Sequence, residues 1–357
     1  MPRLVYRIGG KHYVPSDPYT PLDYREPHGQ IQPARPHRRR CAFLITVNLT
    51  AGAEAQNLKP WRHGVINLKS DAGFVMMPMQ HDFAAKRGLK IETVQVKDGA
   101  LGLKALIAGE LESLDGGAGE GIVAAMRGAD VKTVGCHWPG LPHALFVRGD
   151  INNVEEIKGK VVATSAPGSL PDNMMRTLLE KYGMPESAVK FAAVGGDVDR
   201  YKALTAGIVD ATIVSSEYLP VSPPGIKILV AGRDVIPNFM RLCLNIPGKT
   251  IAARHDDAIG FLAAEIEGLR YAFAHREETI KLARDLSEAK PDDPRPAFVY
   301  DEFVKYKAVD PEISLPMEKL SWMQGQFVKN GTLPRAGDLP KIVDPTLRVK
   351  ALELVGK

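Results

Sequence analysis

The sequence predicts an α/β protein with two similar lobes, each a mostly parallel sheet flanked by helices. Three observations predict this class. The chain has 357 residues, enough for two domains with sizeable cores. Strand-like and helical runs alternate between residues 63 and 244, which is typical of parallel sheets covered by helices. The phrase KALIAG at residues 104–109 returns 98 positions later as KALTAG at residues 202–207, so one structural unit is used twice.

The first lobe is predicted to begin with a buried strand at residues 63–68. A helix over residues 74–87 follows, ended by Gly88, and Pro78 is positioned to bend it. The pattern then predicts a strand at 90–96, a helix at 100–111, a strand at 113–117, a helix at 122–127 and strands at 131–136 and 144–147.

The pattern restarts after residue 150. It predicts a strand at 160–164, a helix at 171–182 stopped by Gly183, a strand at 189–194, the second repeat helix at 198–206 and strands at 211–214, 226–230 and 240–244. The remainder is predicted to be helical, over residues 257–285, 297–306 and 316–329.

Residues 1–55 are predicted to be a leader. A basic cluster at residues 37–40 precedes an apolar run at 41–49, and Ala-Glu-Ala ends at Ala55. This layout is typical of a secretory signal cleaved after Ala55, with an upstream segment from a mis-assigned start codon before it. The alternative is a buried strand after a disordered tail.

The leader accounts for the positive charge of the chain. Residues 1–55 carry 8 of the 46 Lys and Arg but 4 of the 42 Asp and Glu, which leaves 38 of each in the remainder. The basic residues are scattered, so no nucleic-acid partner is expected. No apolar run approaches the roughly 18 residues of a membrane span.

Two cysteines, Cys136 and Cys243, remain after the leader. They could pair in an exported protein, but the favoured interpretation is two small buried hydrophobic residues. No nucleophile-elbow, zinc-protease, phosphate-loop or dinucleotide motif occurs, so no catalytic residue, metal site or cofactor is predicted.

The chain resembles the periplasmic solute-binding proteins of ABC importers, in the sulfonate, nitrate and thiamine-precursor branch (NMT1/THI5-like). Four stretches carry the resemblance over about residues 61–357: the strand, turn and helix of 63–88, KALIAG with Asp115, IKGKVVA at 157–163, and ALTAGIVDA at 203–211. The later phrases EGLRYAFA at 267–274, NGTL at 330–333 and VD at 343–344 agree with it.

The resemblance implies a type II, or Venus-flytrap, fold whose lobes close on a ligand. Lobe one would comprise residues 60–145 with 247–357, and lobe two residues 148–240, with crossovers near residues 143–148 and 240–247. It further implies a periplasmic monomer that presents a small molecule to an ABC permease in the inner membrane. The alternative is an enzyme on the same fold, for pyrimidine-precursor synthesis or decarboxylation.

The candidate binding loops follow from a rule for open parallel sheets. Ligands sit beyond the carboxyl ends of the strands, near helix N-termini that offer free N–H groups. The rule selects the loops at 70–73, 117–120, 165–169, 195–197 and 215–218. With Trp138, the candidate ligand-binding residues are Ser70, Asp71, Gly73, Gly117, Ala118, Glu120, Trp138, Ser165, Gly168, Ser169, Asp197, Ser216, Glu217 and Tyr218.

The charges of these loops bear on the ligand. Carboxylates predominate and Lys69 is the one neighbouring cation, so the local sequence does not favour an anion held by an Arg clamp. Glu120 or Glu217 suits an amino or heteroaromatic nitrogen of the ligand. For Asp71 and Asp197 the favoured interpretation is helix capping. Trp138 and Tyr218 could stack on a ligand ring or serve packing between the lobes.

Overall fold

A computed structural model of the protein describes residues 57–66 and 68–356, together with the backbone of residues 6–8 and 11–13. These last two segments form an antiparallel hairpin of β1 (Tyr6–Ile8) and β2 (Lys11–Tyr13). Apart from that hairpin, the predicted leader and its predicted cleavage after Ala55 lie outside the described residues.

The first large sheet has five strands: β3 (Lys59–Ile66), β4 (Leu89–Val96), β5 (Ser113–Gly117), β6 (Lys132–Trp138) and β12 (Leu242–Ile246). Their spatial order is β4-β3-β5-β12-β6. β3 pairs in parallel with β4 and β5, whereas β12 is antiparallel to both of its neighbours. Four strands therefore run in one direction, as predicted for a mostly parallel sheet.

The second large sheet repeats this design. It comprises β7 (His143–Arg148), β8 (Val161–Thr164), β9 (Lys190–Ala193), β10 (Ala211–Ser215) and β11 (Ile226–Ala231), in the spatial order β11-β7-β10-β8-β9. β7 is the antiparallel strand, and the other four share one direction.

The chain passes between the two sheets twice. Residues 139–142 lead from β6 to β7, and residues 232–241 lead from the end of β11 to β12. We call these the crossover segments. The antiparallel strand of each sheet is the one that the chain enters directly from a crossover segment. We refer to each sheet with the helices packed on it as a half of the protein.

Helices cover both sheets. They are α1 (Ala72–Met76), α2 (Gly99–Ala108), α3 (Ala118–Met126), α4 (Leu170–Lys181), α5 (Asp197–Thr205), α6 (Gly232–Val235), α7 (Gly248–Ala253), α8 (His255–Ala274), α9 (Arg276–Leu286), α10 (Arg295–Lys305), α11 (Met317–Lys329), α12 (Leu339–Ile342) and α13 (Thr346–Val355). Among the described residues, none of these helices has the length and apolar character needed to cross a membrane.

Two predicted helices are interrupted. The helix predicted over residues 74–87 ends at Met76, and single-turn 3₁₀ helices at Met77–Met79 and Ala85–Arg87 follow it. Pro78 lacks an N–H group and clashes with the preceding turn, so the α-helix cannot continue through it. The helix predicted over residues 257–285 is two helices, α8 and α9, which meet at His275.

Apolar packing is continuous between the halves. One core cluster contains Ile122 of α3, Leu145 of β7, Met174 of α4, Phe239 of the second crossover segment and Phe327 of α11. α11 and the second crossover segment therefore hold the two sheets on a shared core, which positions the polar groups at their junction.

Cys136 and Cys243 form a disulfide bond between β6 and β12. The interpretation of two unpaired buried cysteines was wrong. Their separation of 107 positions gave no sign that β12 returns to the first sheet beside β6. Once the two strands are neighbours, the two thiols face each other in a fully buried position.

Candidate functional site

Titratable side chains from both halves meet at the carboxyl ends of the strands. We call this group the seam cluster: Lys69, Asp71, His143, Asp197, Arg200, Glu217 and Arg241. Lys69 and Asp71 follow β3, Asp197 begins α5 after β9, and Glu217 follows β10. Arg241 and His143 lie at the ends of the crossover segments. The topology thus brings together residues that lie far apart in the sequence.

Lys69 links the two halves directly. Its Nζ donates a hydrogen bond of 2.6 Å to Oδ2 of Asp197 and lies 3.7 Å from Oε1 of Glu217. The neighbouring backbone N–H of Ser70 donates to Oε2 of Glu217 at 3.3 Å. Burial disfavours the ammonium charge, but the carboxylates of Asp197 and Glu217 outweigh it and raise the pKa of Lys69.

Arg241 forms an ion pair with Asp71 in the seam cluster. Its Nη2 donates to Oδ2 of Asp71, and its guanidinium carbon stands 4.7 Å from the centre of the Trp138 ring. Burial raises the pKa of Asp71, but the charges of Arg241 and Lys69 outweigh it, so the pKa is lowered. Nη1 of Arg241 and Nε1 of Trp138 are buried and have no hydrogen-bond partner among the described residues.

Arg200 holds the loop that carries Asp197. Its guanidinium donates to Asp197 and to the carbonyl of Gly195, and its Nε donates to the carbonyl of Ile213 at 3.1 Å. Despite the burial of its carboxyl, Asp197 has a lowered pKa because Lys69 and Arg200 stabilise the carboxylate. Asp197 is thus an anion fixed between one cation from each half.

Two members of the seam cluster are pushed toward their neutral forms. Burial lowers the pKa of His143 to about 3, although the negative charge of Asp197 acts to raise it. The imidazole is therefore neutral at pH 7. Burial also raises the pKa of Glu217, and Lys69 compensates this only in part because Asp71 and Asp197 lie close.

The capping interpretation of Asp71 and Asp197 was wrong. Asp71 occupies the N-cap position of α1 but makes no capping hydrogen bond with its side chain. For α5 the N-cap residue is Gly196, and Asp197 is the first helical residue. Both carboxylates bind cations instead, because buried Lys69 and Arg241 need counter-charges more than the helix ends need side-chain acceptors.

A small cavity of about 20 Å³ lies beside Arg241. Loops from both halves line it, together with the second crossover segment and α11: Gly117, Ala118, Gly119, Glu120, Gly168, Leu170, Asn173, Phe239, Met240, Arg241, Met323 and Phe327. The volume is that of about one water molecule. Four predicted site residues, Gly117, Ala118, Glu120 and Gly168, therefore meet at one cavity.

Glu120 has a local partner. It is the third residue of α3, and a hydrogen bond from the backbone N–H of Gly117, the N-cap residue, stabilises its carboxylate. Burial nevertheless raises its pKa. A Cβ on Gly99 would overlap this carboxylate, so glycine there makes room for it.

The remaining predicted residues have structural contacts. Gly73 packs against Thr279 so closely that a Cβ would overlap it, and Tyr218 stacks on Tyr201 with ring centres 4.3 Å apart. Trp138 is fully buried against Phe74 and Phe303.

Serines of the predicted loops also have protein partners. The hydroxyl of Ser216 donates to Glu302 of α10, which ties the second half to α10. The hydroxyl of Ser169 accepts a hydrogen bond of 3.3 Å from the N–H of Ala166. Ser165 lies in the same loop and is half-buried.

Sequence reasoning missed Arg241, His143 and Arg200 and treated Lys69 as a neighbour. Arg241 and His143 carried a usable signal, because both lie within the predicted crossovers at residues 240–247 and 143–148, where the chain passes between the halves. Arg200 carried none, since its position three residues after Asp197 also fits an ordinary helix surface. Within residues 57–66 and 68–356, no group of three or more His, Cys, Asp or Glu side chains could hold a metal ion.

A larger cavity of about 320 Å³ lies away from the seam cluster. It is formed by α4, α11 and the residues after α6: Thr177, Glu180, Lys181, Val235, Ile236, Pro237, Asn238, Trp322, Gln326 and Lys329. None of these residues belongs to the predicted site.

The fold is similar to solved binding proteins. The periplasmic aliphatic sulphonate binding protein SsuA from Escherichia coli matches at 22% identity, with a TM-score of 0.67, over 80% of this chain and 92% of that chain. The periplasmic nitrate-binding protein NrtA from Synechocystis PCC 6803 matches at 12% identity, with a TM-score of 0.68, over 84% and 89% of the two chains.

A third similar structure is the alkanesulfonate-binding protein SsuA from Xanthomonas axonopodis pv. citri, bound to MOPS. It shares 19% identity and a TM-score of 0.67 over 80% of this chain and 98% of that chain. These matches show the periplasmic binding protein fold. No curated protein matches the chain. The family model described as NMT1/THI5 like matches residues 71–279, more than half of the chain. The protein therefore belongs to the NMT1/THI5-like family.

Proposed function

We propose that this protein is the extracytoplasmic solute-binding component of an ABC importer, and that it captures a small organic solute between its two halves. The seam cluster carries this proposal. Charged side chains from both halves and from a crossover segment are buried together, although burying charges is costly. Such a concentration of perturbed titratable groups at a junction is typical of a binding site.

We propose that the halves act as lobes, close to the predicted bounds of residues 60–145 with 247–357 and residues 148–240. The whole of β7 belongs to the second lobe in this proposal, and β12 belongs to the first. The crossover segments are the two connections about which such lobes would hinge. The cavity beside Arg241 holds about 20 Å³, so a solute needs the lobes to open before it enters. A solute that contacts both lobes then favours the closed state.

The proposed contact residues are those of the seam cluster and of the small cavity beside it. Among the sequence candidates, Ser70, Asp71, Asp197, Ser216 and Glu217 lie in or next to the seam cluster. Lys69 and Arg241 add cations that suit oxyanions. That two similar proteins are named as binders of sulphonate and nitrate supports a small polar solute.

The disulfide supports an extracytoplasmic location. Disulfides persist in oxidising compartments and are rare in the cytosol of mesophiles. The proposed partner is the permease of an ABC importer in the inner membrane, and the proposed leader directs export. Mass spectrometry of the exported protein tests the leader: a mature start near Gln56 supports it, and a start well before residue 50 contradicts it.

The binding function is tested by thermal-shift screening of a broad solute panel, followed by chemical analysis of the solutes that stabilise the protein. We expect at least one solute to raise Tm and to be recovered unchanged. Conversion of the solute would favour the alternative, an enzyme on this fold. Arg241→Ala should abolish the shift, whereas Arg276→Ala, which removes an exposed ion pair with Asp301, should not.

A further inference from the structure

The seam cluster has more cations than carboxylates on one side and more carboxylates than cations on the other. Lys69 and Arg241 lie on the side of Asp71, and Glu217 with Asp197 lies across from them on the second half. In the part of the chain that the structure describes, Lys69 is the one cation within 4.0 Å of Glu217. Asp197, in contrast, keeps Arg200 as a partner within its own half.

A solute that enters between the lobes must separate Lys69 from Glu217 and Asp197. A simple anion would pair with Lys69 and Arg241. It would leave Glu217 without a cation within 4.0 Å, with Arg295 as a more distant positive charge, and would bring a further negative charge toward it. A simple cation would satisfy Glu217 and leave Lys69 without its counter-charges. Either outcome leaves a buried charge unpaired, which is strongly unfavourable.

Two unused donors, on Arg241 and Trp138, suit an anionic group. Nη1 of Arg241 and Nε1 of Trp138 are buried, lack acceptors among the described residues, and belong to side chains that stack on each other. Both N–H groups are hydrogen-bond donors and cannot act as acceptors. Oxygen atoms of a carboxylate or sulfonate would satisfy them.

We infer that the solute is a zwitterion: its anionic group faces Arg241 and Lys69, and its ammonium-type group faces Glu217 and Asp197. This inference rests on the proposed binding function. A zwitterion replaces each ion pair it breaks and adds no net charge to the buried cluster. Burial raises the pKa of Glu217, and the charges of Asp71 and Asp197 add to this, so the positive charge of Lys69 offsets it only in part. This agrees with a carboxyl group that has room for a further cationic partner.

The test compares solutes matched in size that differ only in charge. One set is β-alanine, propanoate and propylamine; a second is taurine, ethanesulfonate and ethylamine; a third is phenylalanine, phenylpropanoate and phenethylamine. These sets are added to the broad panel and Kd is measured for the full-length protein by calorimetry at pH 7. We expect the zwitterions among the binding solutes to bind at least about tenfold more tightly than their matched anions and amines.

Glu217→Gln supplies the second arm. The variant should lose about tenfold or more in affinity for a zwitterion and keep or gain affinity for the matched anion, because the carboxylate of Glu217 no longer opposes the anion. The control is Glu353→Gln, which removes an exposed carboxylate of α13 that lies outside the seam cluster. Its affinities should equal those of the wild type.

The outcomes separate this inference from the proposed function. If solutes bind but the tightest are simple anions, simple cations or uncharged molecules, the zwitterion is refuted and the binding function stands. Anion binding that weakens as pH rises, with uptake of a proton by Glu217, would refute it equally. If nothing in the panel binds, the proposed function fails and the inference falls with it.

Discussion

Lys69 reaches from one half of the protein to the other with a side chain that is 22% exposed, and the carboxylates it meets are 10% and 4% exposed. The ammonium is therefore the main source of positive charge for two groups that water scarcely reaches. Its removal affects Glu217 most, because Asp197 keeps Arg200 as a partner.

Lys69→Ala should lower the free energy of unfolding by about 1–3 kcal/mol, the cost of leaving buried acceptors without a donor. Urea unfolding at pH 7 measures the change. The control is Lys59→Ala, because Lys59 forms an ion pair with Asp257 while 66% exposed, and an exposed pair contributes about 0–1 kcal/mol. Equal losses in the two variants would contradict the role assigned to Lys69.

Glu265 on α8 is a buried carboxyl outside the site. It is 3% exposed, and its Oε1 has no hydrogen-bond partner among the described residues. Burial, and then the charge of Asp115, raises its pKa well above the usual range. A raised pKa means that the folded state holds the proton, so the carboxyl favours folding at low pH and loses this contribution as pH rises toward its folded pKa.

Glu265→Gln should therefore be more stable than the wild type at pH 8, and the difference should shrink toward pH 4. Between those limits the difference in the free energy of unfolding changes by up to about 1.4 kcal/mol per pH unit. The change comes from the wild type, because glutamine has no proton that titrates in this range. Urea unfolding across this range measures it, with Glu353→Gln on the exposed face of α13 as the control. A difference that does not change with pH would contradict the assignment.

The positions of some residues of the candidate site could be predicted from the sequence, but their ion-pair partners could not. Ser70, Asp71 and Glu217 follow parallel strands, so the rule for carboxyl ends located them without a structure. Their partners could not be found in the same way. Lys69 and Asp197 are 128 positions apart, and Arg241 and Asp71 are 170 apart. Pairings at such distances depend on how the halves meet, which local periodicity does not encode.

At the scale of elements, close helix packing depends on where glycine occurs. Gly268 of α8 lies against Pro78, and a Cβ at this position would overlap the proline backbone. Gly325 of α11 faces open space, and no heavy atom lies within 4 Å of the point that a Cβ would occupy. The two residues share a helical conformation and differ in their surroundings.

Gly268→Ala should destabilise the protein by about 1–3 kcal/mol, because α8 must move away from the 3₁₀ helix at Met77–Met79. Gly325→Ala should stabilise it by about 0.5–1 kcal/mol, because alanine loses less backbone entropy in a helix. Thermal unfolding of both variants measures the difference in sign. A loss of stability in Gly325→Ala would show that its surroundings are more crowded than the structure indicates.

Strands were predicted more accurately than helix ends. The strand predicted at residues 144–147 is β7, His143–Arg148, and the strand predicted at 240–244 is β12, displaced toward Leu242–Ile246. Apolar runs locate buried strands well because both faces of a central strand are covered. The helix after β3 ends before Pro78, earlier than predicted. Apolar periodicity does not show whether a single proline will end a helix whose other residues favour it.

At the scale of the whole molecule, the two-sheet design was predictable from the repeat and from the strand–helix alternation, and the disulfide was not. Cys136 and Cys243 become neighbours only because the chain leaves the first sheet after β6 and comes back as β12. The second half lies entirely between the two cysteines. The bond therefore closes a loop of the chain that contains the whole second sheet.

Replacing both cysteines with alanine should lower the free energy of unfolding by about 2–5 kcal/mol, since the bond restricts a loop of 107 positions in the unfolded chain. Urea unfolding with and without dithiothreitol measures this. Reduced wild-type protein should approach the double variant, and the double variant itself should not respond to reductant. A wild-type protein indifferent to reductant would contradict a stabilising role.

The same bond makes the protein a covalent ring with two tails. β7 to β11 and α4 to α6 all belong to the ring closed between Cys136 and Cys243. A protease that cuts one peptide bond inside the ring, for example in the exposed turn at residues 205–208, opens the ring but releases no fragment. Such a nicked chain keeps its full mass under non-reducing conditions and falls into two pieces only when the disulfide is reduced. Both pieces stay attached to the first sheet through β6 and β12, so a single cut leaves the protein in one molecule.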